Sequence, residues 1–227
     1  MSRPLAELEA MLAATSTLDG RALLAHALQA WPGDVAVASS FGAESAVLLA
    51  LIAEIDPTTP VLFLDTGKLF GETRRYRDTL VETLGLTDVR VVAPDAEELR
   101  REDDDEFLFQ RDPDACCDLR KVRPLDRALR PFSAWVNGRK RFHSANRAAI
   151  PTVELADGRL KLTPLATWSS ADVAREFLKR GLPQHPLVAD GFKSIGCYTC
   201  TSRVADDQDL RAGRWAGQQK TECGIHR

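Results

Sequence analysis

The sequence predicts an α/β fold built on a doubly wound, mostly parallel sheet. Three observations predict it. Short apolar runs at residues 35–39, 60–64 and 89–93 read as buried strands. The first two lead through small-residue loops into helix-period segments at 46–55 and 72–84. Successive strand–helix units joined by right-handed crossovers build a parallel sheet with helices on both faces.

Leu5, Leu8, Met11 and Leu12 recur at helical spacing, as do Leu23, Leu24, Ala27 and Leu28, so two packing helices open the chain. Asp19 is placed to cap the second, and Pro32-Gly33 ends it. After the first strand comes Ser40-Phe41-Gly42-Ala43-Glu44-Ser45. Strand, small-residue loop and helix together offer backbone N–H groups to an anion, although Ser-x-Gly-x-x-Ser also fits an ordinary βα turn. The second strand ends in Asp65-Thr66-Gly67. Ligands in open α/β sheets sit at such carboxyl ends, and the triplet also suits a plain turn. Gly85 stops the following helix.

The run Glu102-Asp103-Asp104-Asp105-Glu106 reads as a solvated face and receives no role. A helix runs from Asp114 to Arg130, and residues 134–138 form a fourth strand before a basic loop at 139–147. Residues 153–162 alternate around Asp157-Gly158, a hairpin signal. Ser169-Ser170-Ala171-Asp172 caps a helix to Lys179, closed by Gly181. From Ala205 the chain turns polar, which separates a packed domain, 1–205, from a C-terminal tail, 206–227.

The 227 residues suffice for one such domain with a substantial core. A formal net charge of −3 gives no reason to expect nucleic acid or an anionic membrane as partner. No apolar run reaches the roughly 20 residues needed to span a bilayer, and the N-terminus lacks an apolar signal core. A cytoplasmic location is expected, where cysteines are metal-binding or catalytic rather than disulfide-forming. Self-association is left open.

The five cysteines sort four plus one. Cys116-Cys117 and Cys197-x-x-Cys200 form two pairs, and four thiolates suit tetrahedral zinc or an iron–sulfur cluster. Adjacent cysteines are awkward around one zinc ion, whereas a 4Fe–4S cubane offers separate iron corners, so the cubane fits better. A redox dithiol at Cys197 and Cys200 would leave the other pair unexplained, and four small buried hydrophobes would leave the pairing unexplained. Cys223 remains, four residues from the end. It is expected to be a nucleophile on a mobile tail, the competing reading being an idle exposed thiol. Three basic groups accompany the cysteines: Arg120 and Lys121; Lys140, Arg141 and Arg147; Arg211 and Arg214. They suit an anionic substrate held by charge-assisted hydrogen bonds.

Taken together, Ser39-Ser40-Phe41-Gly42-Ala43-Glu44, Leu64-Asp65-Thr66-Gly67, Cys116-Cys117 with Arg120-Lys121, Ser194-Ile195-Gly196-Cys197-x-x-Cys200-Thr201, Arg211-Ala212-Gly213-Arg214-Trp215 and Glu222-Cys223-Gly224-Ile225-His226 resemble the assimilatory sulfonucleotide reductases. More narrowly they resemble the thioredoxin-dependent adenosine 5′-phosphosulfate reductases. The resemblance implies a fold like the adenine-nucleotide α-hydrolases, with a modified P-loop at Ser39 to Ser45. It implies that Cys223 attacks the sulfur of adenosine 5′-phosphosulfate, that thioredoxin then releases sulfite, and that the chain serves sulfate assimilation and cysteine biosynthesis. It implies that Cys116, Cys117, Cys197 and Cys200 ligate one 4Fe–4S cluster, and that Lys121 bridges cluster and sulfate. Ser39, Ser40, Arg211, Arg214 and His226 would contact the phosphosulfate, with Gly42, Lys140 and Arg141 also at the substrate. Leu64, Thr66 and Gly138 would hold the adenosine.

One loop departs from the family. Many members read Arg-Arg-(Asp/Glu)-Gln-Ser where this chain has Lys140-Arg141-Phe142-His143-Ser144, so Phe142 and His143 inherit no role. Three competing functions are a reductase of the 3′-phosphorylated nucleotide, an ATP-dependent adenylating enzyme of the same fold, and a non-enzymatic iron–sulfur sensor.

Overall fold

The computed structural model describes residues 3–205 and 207–226. Its centre is a six-stranded sheet in the order β3-β2-β1-β4-β6-β5. The strands are β1 (Val35–Ser39), β2 (Val61–Leu64), β3 (Val89–Val92), β4 (Ala134–Val136), β5 (Val153–Ala156) and β6 (Arg159–Leu162). Every pairing is parallel except the β5–β6 hairpin, which turns through Asp157 and Gly158, both at positive φ.

Alternation along the strands makes the sheet two-faced. Val35 and Val37, Val61 and Phe63, and Ala134 and Val136 point into one apolar cluster; Ala36, Leu62, Leu64 and Trp135 point into another. The first cluster is covered by α1 (Leu5–Thr15), α2 (Gly20–Ala30), α3 (Ser45–Ile55) and α4 (Gly71–Leu84). Burial of each large side chain there, such as Phe63 or Leu49, contributes about 1.5–3 kcal/mol. Gly85 and Gly181 take the left-handed conformation that ends α4 and a later helix.

Three sequence expectations change in detail. Asp19 precedes α2 but does not cap it; its carboxylate accepts from the Thr167 hydroxyl at 2.6 Å. The acidic run is not merely solvated. It follows α5 (Ala96–Glu102), and its Asp103 is buried and paired with Arg120, while Glu106 pairs with buried Lys68. The helix from the double cysteine is interrupted. After α6 (Leu108–Arg111), α7 (Pro113–Cys117) opens into a π-turn at Asp118–Val122 before α8 (Arg123–Leu129). Pro124 has no N–H for the Arg120 carbonyl and its ring crowds that carbonyl, so the helix widens there. The last helix, α9 (Ser170–Arg180), starts with the expected Ser169–Asp172 capping box.

Candidate active site

β1, β2 and β4 release their carboxyl ends into one cavity of about 230 Å³. The site lies where the chain reverses direction across the sheet, β2 on one side of β1 and β4 on the other. Ser39, Ser40 and Gly42 line it from β1, Leu64 and Thr66 from β2, and Gly138 and Lys140 from β4. Lys121 reaches it from the π-turn, and Arg211, Arg214, Cys223 and His226 close it from the C-terminal segment.

The Ser39–Ser45 loop is shaped by its own contacts. The Phe41 N–H donates to Ser39 Oγ at 3.1 Å, and Ser45 Oγ donates to the Gly42 carbonyl at 2.7 Å. Phe41 adopts φ 49°, an unusual conformation for a bulky residue. Its fully buried ring meets Phe63 edge-on at 5.3 Å, so core packing stabilises the loop. A Cβ on Gly42 would lie 3.1 Å from the Ile195 carbonyl, so glycine permits the close approach of the 194–197 segment.

Arg141 does not line this cavity. Its N–H donates to the Ala166 carbonyl and its Nε to the Ile150 carbonyl, which ties it to backbone just after the loop and beyond β6. It begins a 3₁₀ turn, Arg141–His143, in which successive side chains diverge by about 120°. Arg139, His143 and Arg147 face the cavity instead, with Glu44 and Asn137.

Glu44 binds two of these groups at once. Its Oε2 lies 2.7 Å from Lys140 Nζ and 2.8 Å from His143 Nε2. Burial raises the Glu44 pKa, but His143 and Lys140 outweigh it and bring it down to about 2.

The tail is docked in the site. Arg147 donates to both Glu222 carboxylate oxygens, at 2.5 and 2.7 Å, and Arg211 donates to the Thr221 carbonyl at 2.8 Å. Ile225 packs on the second apolar cluster, and the His226 ring stacks on Trp135 with an interplanar angle of 4°. Lys161 Nζ donates to the His226 carbonyl at 3.3 Å. Burial, with Arg139, Lys161 and Arg147 nearby, holds the His226 pKa well below its usual value and so favours the neutral ring. Burial and the neighbouring Arg147 likewise lower Arg211, to about 10.

Cys116, Cys117, Cys197 and Cys200 line a second, small cavity together with Lys68, Arg120 and Lys121. Lys121 and Cys197 belong to both cavities. Backbone bonds fix the Cys197–Cys200 turn: the Tyr198 N–H donates to the Lys68 carbonyl and the Trp215 N–H to the Cys200 carbonyl. Thr66 Oγ1 and Cys197 Sγ lie 3.2 Å apart. Burial pushes the Cys116 thiol up to about 12 and also raises Cys117, whereas Lys121 and Thr66 more than offset burial at Cys197. Among the described residues, no three His, Cys, Asp or Glu side chains converge on a single ion position. Four thiols spread around one cavity beside buried cations match the donor set of a polynuclear iron–sulfur group.

Among the described residues, buried Arg214 Nε, Trp215 Nε1 and His226 Nδ1 lack a hydrogen-bond partner, and all three side chains line the main cavity. Buried polar atoms of this kind are costly unless satisfied. Trp135, Asn137 and Lys161 carry no site signal in the sequence, and Glu44, Arg139 and Glu222 stand in quoted motifs or the basic loop without a substrate role.

The phosphoadenosine phosphosulfate reductase domain model matches residues 34–203. A protein named adenosine 5′-phosphosulfate reductase from Mesorhizobium japonicum is 53% identical over 193 residues, covering 85% of this chain and 76% of that protein. One named phosphoadenosine 5′-phosphosulfate reductase from Gloeobacter violaceus is 40% identical, covering 90% of this chain and 87% of that protein. The crystal structure of a phosphoadenylyl-sulfate reductase from Candida auris, a phosphate complex, has the same fold: TM-score 0.70, 24% identity, 90% of this chain and 99% of that one. On the family match and these identities, the chain belongs to the phosphoadenosine phosphosulfate reductase domain family.

Proposed function

We propose that this oxidoreductase reduces adenosine 5′-phosphosulfate to sulfite and AMP. The observation that carries the reading is Cys223 docked over a cation-lined cavity while the other four cysteines surround an adjoining one that shares Cys197 and Lys121 with it. The 53% identical relative supports the choice of nucleotide by its name.

The thiolate of Cys223 attacks the sulfonyl sulfur. The sulfur–oxygen bond breaks, AMP leaves with the electron pair, and Cys223 carries a thiosulfonate. Arg147, Arg211, Arg214 and Lys121 lie where they would stabilise the charge that develops on the leaving phosphate and the sulfonate. A thiolate of a dithiol protein of the thioredoxin type then attacks Cys223 Sγ, and sulfite departs with the bonding pair. The partner's second thiol resolves the mixed disulfide, so the partner is oxidised by two electrons and the sulfate sulfur reduced by two. Dithiol chemistry of this kind belongs to a reducing compartment, which favours the cytoplasm and sulfate assimilation toward cysteine.

Cys116, Cys117, Cys197 and Cys200 would hold a 4Fe–4S cluster. When bound, such a group supplies a rigid, charged anchor beside the substrate. Lys121, half-buried between the two cavities, would orient the sulfate against it.

Sulfite release from adenosine 5′-phosphosulfate and from its 3′-phosphorylated form, assayed side by side with reduced thioredoxin, tests the reading. Faster turnover of the first is expected. Preference for the second would support the other substrate, which the name of the 40% identical relative favours. Iron and acid-labile sulfide in anaerobically purified protein test the cluster, and zinc without iron would overturn it.

A further inference from the structure

The loop that departs from the family contains a hydrogen-bonded chain linking the Ser39–Ser45 loop to the tail. Glu44 Oε2 lies 2.8 Å from His143 Nε2. His143 Nδ1 lies 3.4 Å from Arg147 NH1. Arg147 Nε and NH2 reach the two Glu222 oxygens at 2.5 and 2.7 Å. Glu222 adjoins Cys223.

The two partners of His143 dictate one protonation pattern. An ionised carboxylate only accepts, so Nε2 carries the hydrogen toward Glu44. A guanidinium only donates, so Nδ1 is the bare acceptor for Arg147. An imidazolium would aim an N–H at Arg147 and lose that contact. Burial, with Lys140 and Arg147 close by, disfavours the charged ring, opposing Glu44. Phe142 fixes the ring plane: it packs on the main apolar cluster and meets His143 edge-on, with centroids 4.6 Å apart.

We propose that His143, as the neutral Nε2–H tautomer, is a positioning residue that holds the Arg147 guanidinium against Glu222 and so couples tail docking to the Ser39–Ser45 loop. The role goes beyond the reaction assigned above and does not depend on which nucleotide is reduced.

Two measurements test it, neither of which reads turnover. In the full-length protein, two-bond ¹H–¹⁵N spectra of ¹⁵N-histidine at pH 7, assigned with H143Q, should show His143 protonated at Nε2 and bare at Nδ1. An Nδ1–H tautomer or an imidazolium overturns the proposal without any variant having to fold. Hydrogen–deuterium exchange of the C-terminal peptide provides the second. H143L should speed exchange there about fivefold, the factor that loss of one hydrogen bond brings. H143Q, whose amide supplies one donor and one acceptor, should restore the native rate. Native exchange in H143L, or failure of H143Q to restore it while the sheet retains native protection, refutes the coupling. Failure of the reductase assignment would leave both results standing.

Discussion

Replacing Asp103 by Ala should be among the most destabilising single changes outside the sheet. The Asp103 carboxylate is fully buried, with a side-chain exposure of 0%. It accepts from Arg120 Nε at 3.0 Å and NH2 at 2.5 Å, and from the Leu108 N–H at 2.7 Å. Arg120, itself 5% exposed, spends its remaining donor NH1 on the Thr66 carbonyl at 2.9 Å. Asp103→Ala therefore leaves a buried guanidinium without its ion-pair partner, at a cost of about 3–5 kcal/mol. For a domain of this size, roughly 2–4 °C per kcal/mol turns this into a fall in Tm of about 6–20 °C. Asp103→Asn keeps volume and an acceptor for Leu108 but loses the charge, so its cost falls to about 1.5–3 kcal/mol. The double variant D103A/R120M removes both charges and should be more stable than D103A alone. Far-UV circular dichroism through thermal unfolding, with the parent, D103A, D103N, R120M and D103A/R120M compared at one pH and salt, provides the measurement. A D103A protein melting within about 2 °C of the parent, or strictly additive single costs, would refute the buried-pair argument.

Cys223→Ser should abolish sulfite release while iron and sulfide content stay at the parent level, since Cys223 lines only the larger cavity; metal analysis beside the turnover assay separates the two. Glu222→Gln should weaken tail docking by removing the charge that Arg147 and Arg211 share, and tryptic cleavage after Lys220 should quicken several-fold, by about the worth of a charge-assisted bond. Acid should destabilise the fold through His185, whose Nε2 pairs with the Thr73 hydroxyl and whose Nδ1 accepts from the Leu187 N–H. Burial lowers its pKa from 6.5 to about 4, with Glu72 opposing. A folded pKa below the unfolded one gives stability present above pH 6.5 and lost as pH falls toward 4, up to about 3 kcal/mol. Denaturant titrations should show that slope, and His185→Gln should flatten it.

Much of the fold was legible because its signals are local. The apolar runs of β1 and β2, the left-handed stops at Gly85 and Gly181, the Asp157-Gly158 turn and the Ser169 capping box each lie within a few residues. The cysteine pairs were legible by spacing alone, and the smaller cavity gathers both pairs while Cys223 lines the larger, with Cys197 shared between the two. What escaped depends on tertiary placement. Asp103 meets Arg120 across 17 positions, and Arg147 meets Glu222 across 75. No periodicity encodes such pairs. Within the basic loop, sequence identifies cations but not their direction. Tight turns send Arg141 to the Ile150 carbonyl while Lys140 and Arg147 reach the cavity.

The net charge of −3 conceals the strongest electrostatic feature of the molecule. Among the described residues, seven cations line the main cavity: Lys121, Arg139, Lys140, Arg147, Lys193, Arg211 and Arg214, against the carboxylates Glu44 and Glu222. The two acids differ in origin. Glu44 belongs to the β1 loop and holds Lys140 and His143 in place. Glu222 arrives with the tail, one residue from the thiol, and takes up Arg147 and Arg211. An anionic substrate would compete for those same arginines, whose fixed positive field attracts any anion. An acid next to Cys223 thus gives the tail a charge-based means of docking, through an arginine that also contacts His143.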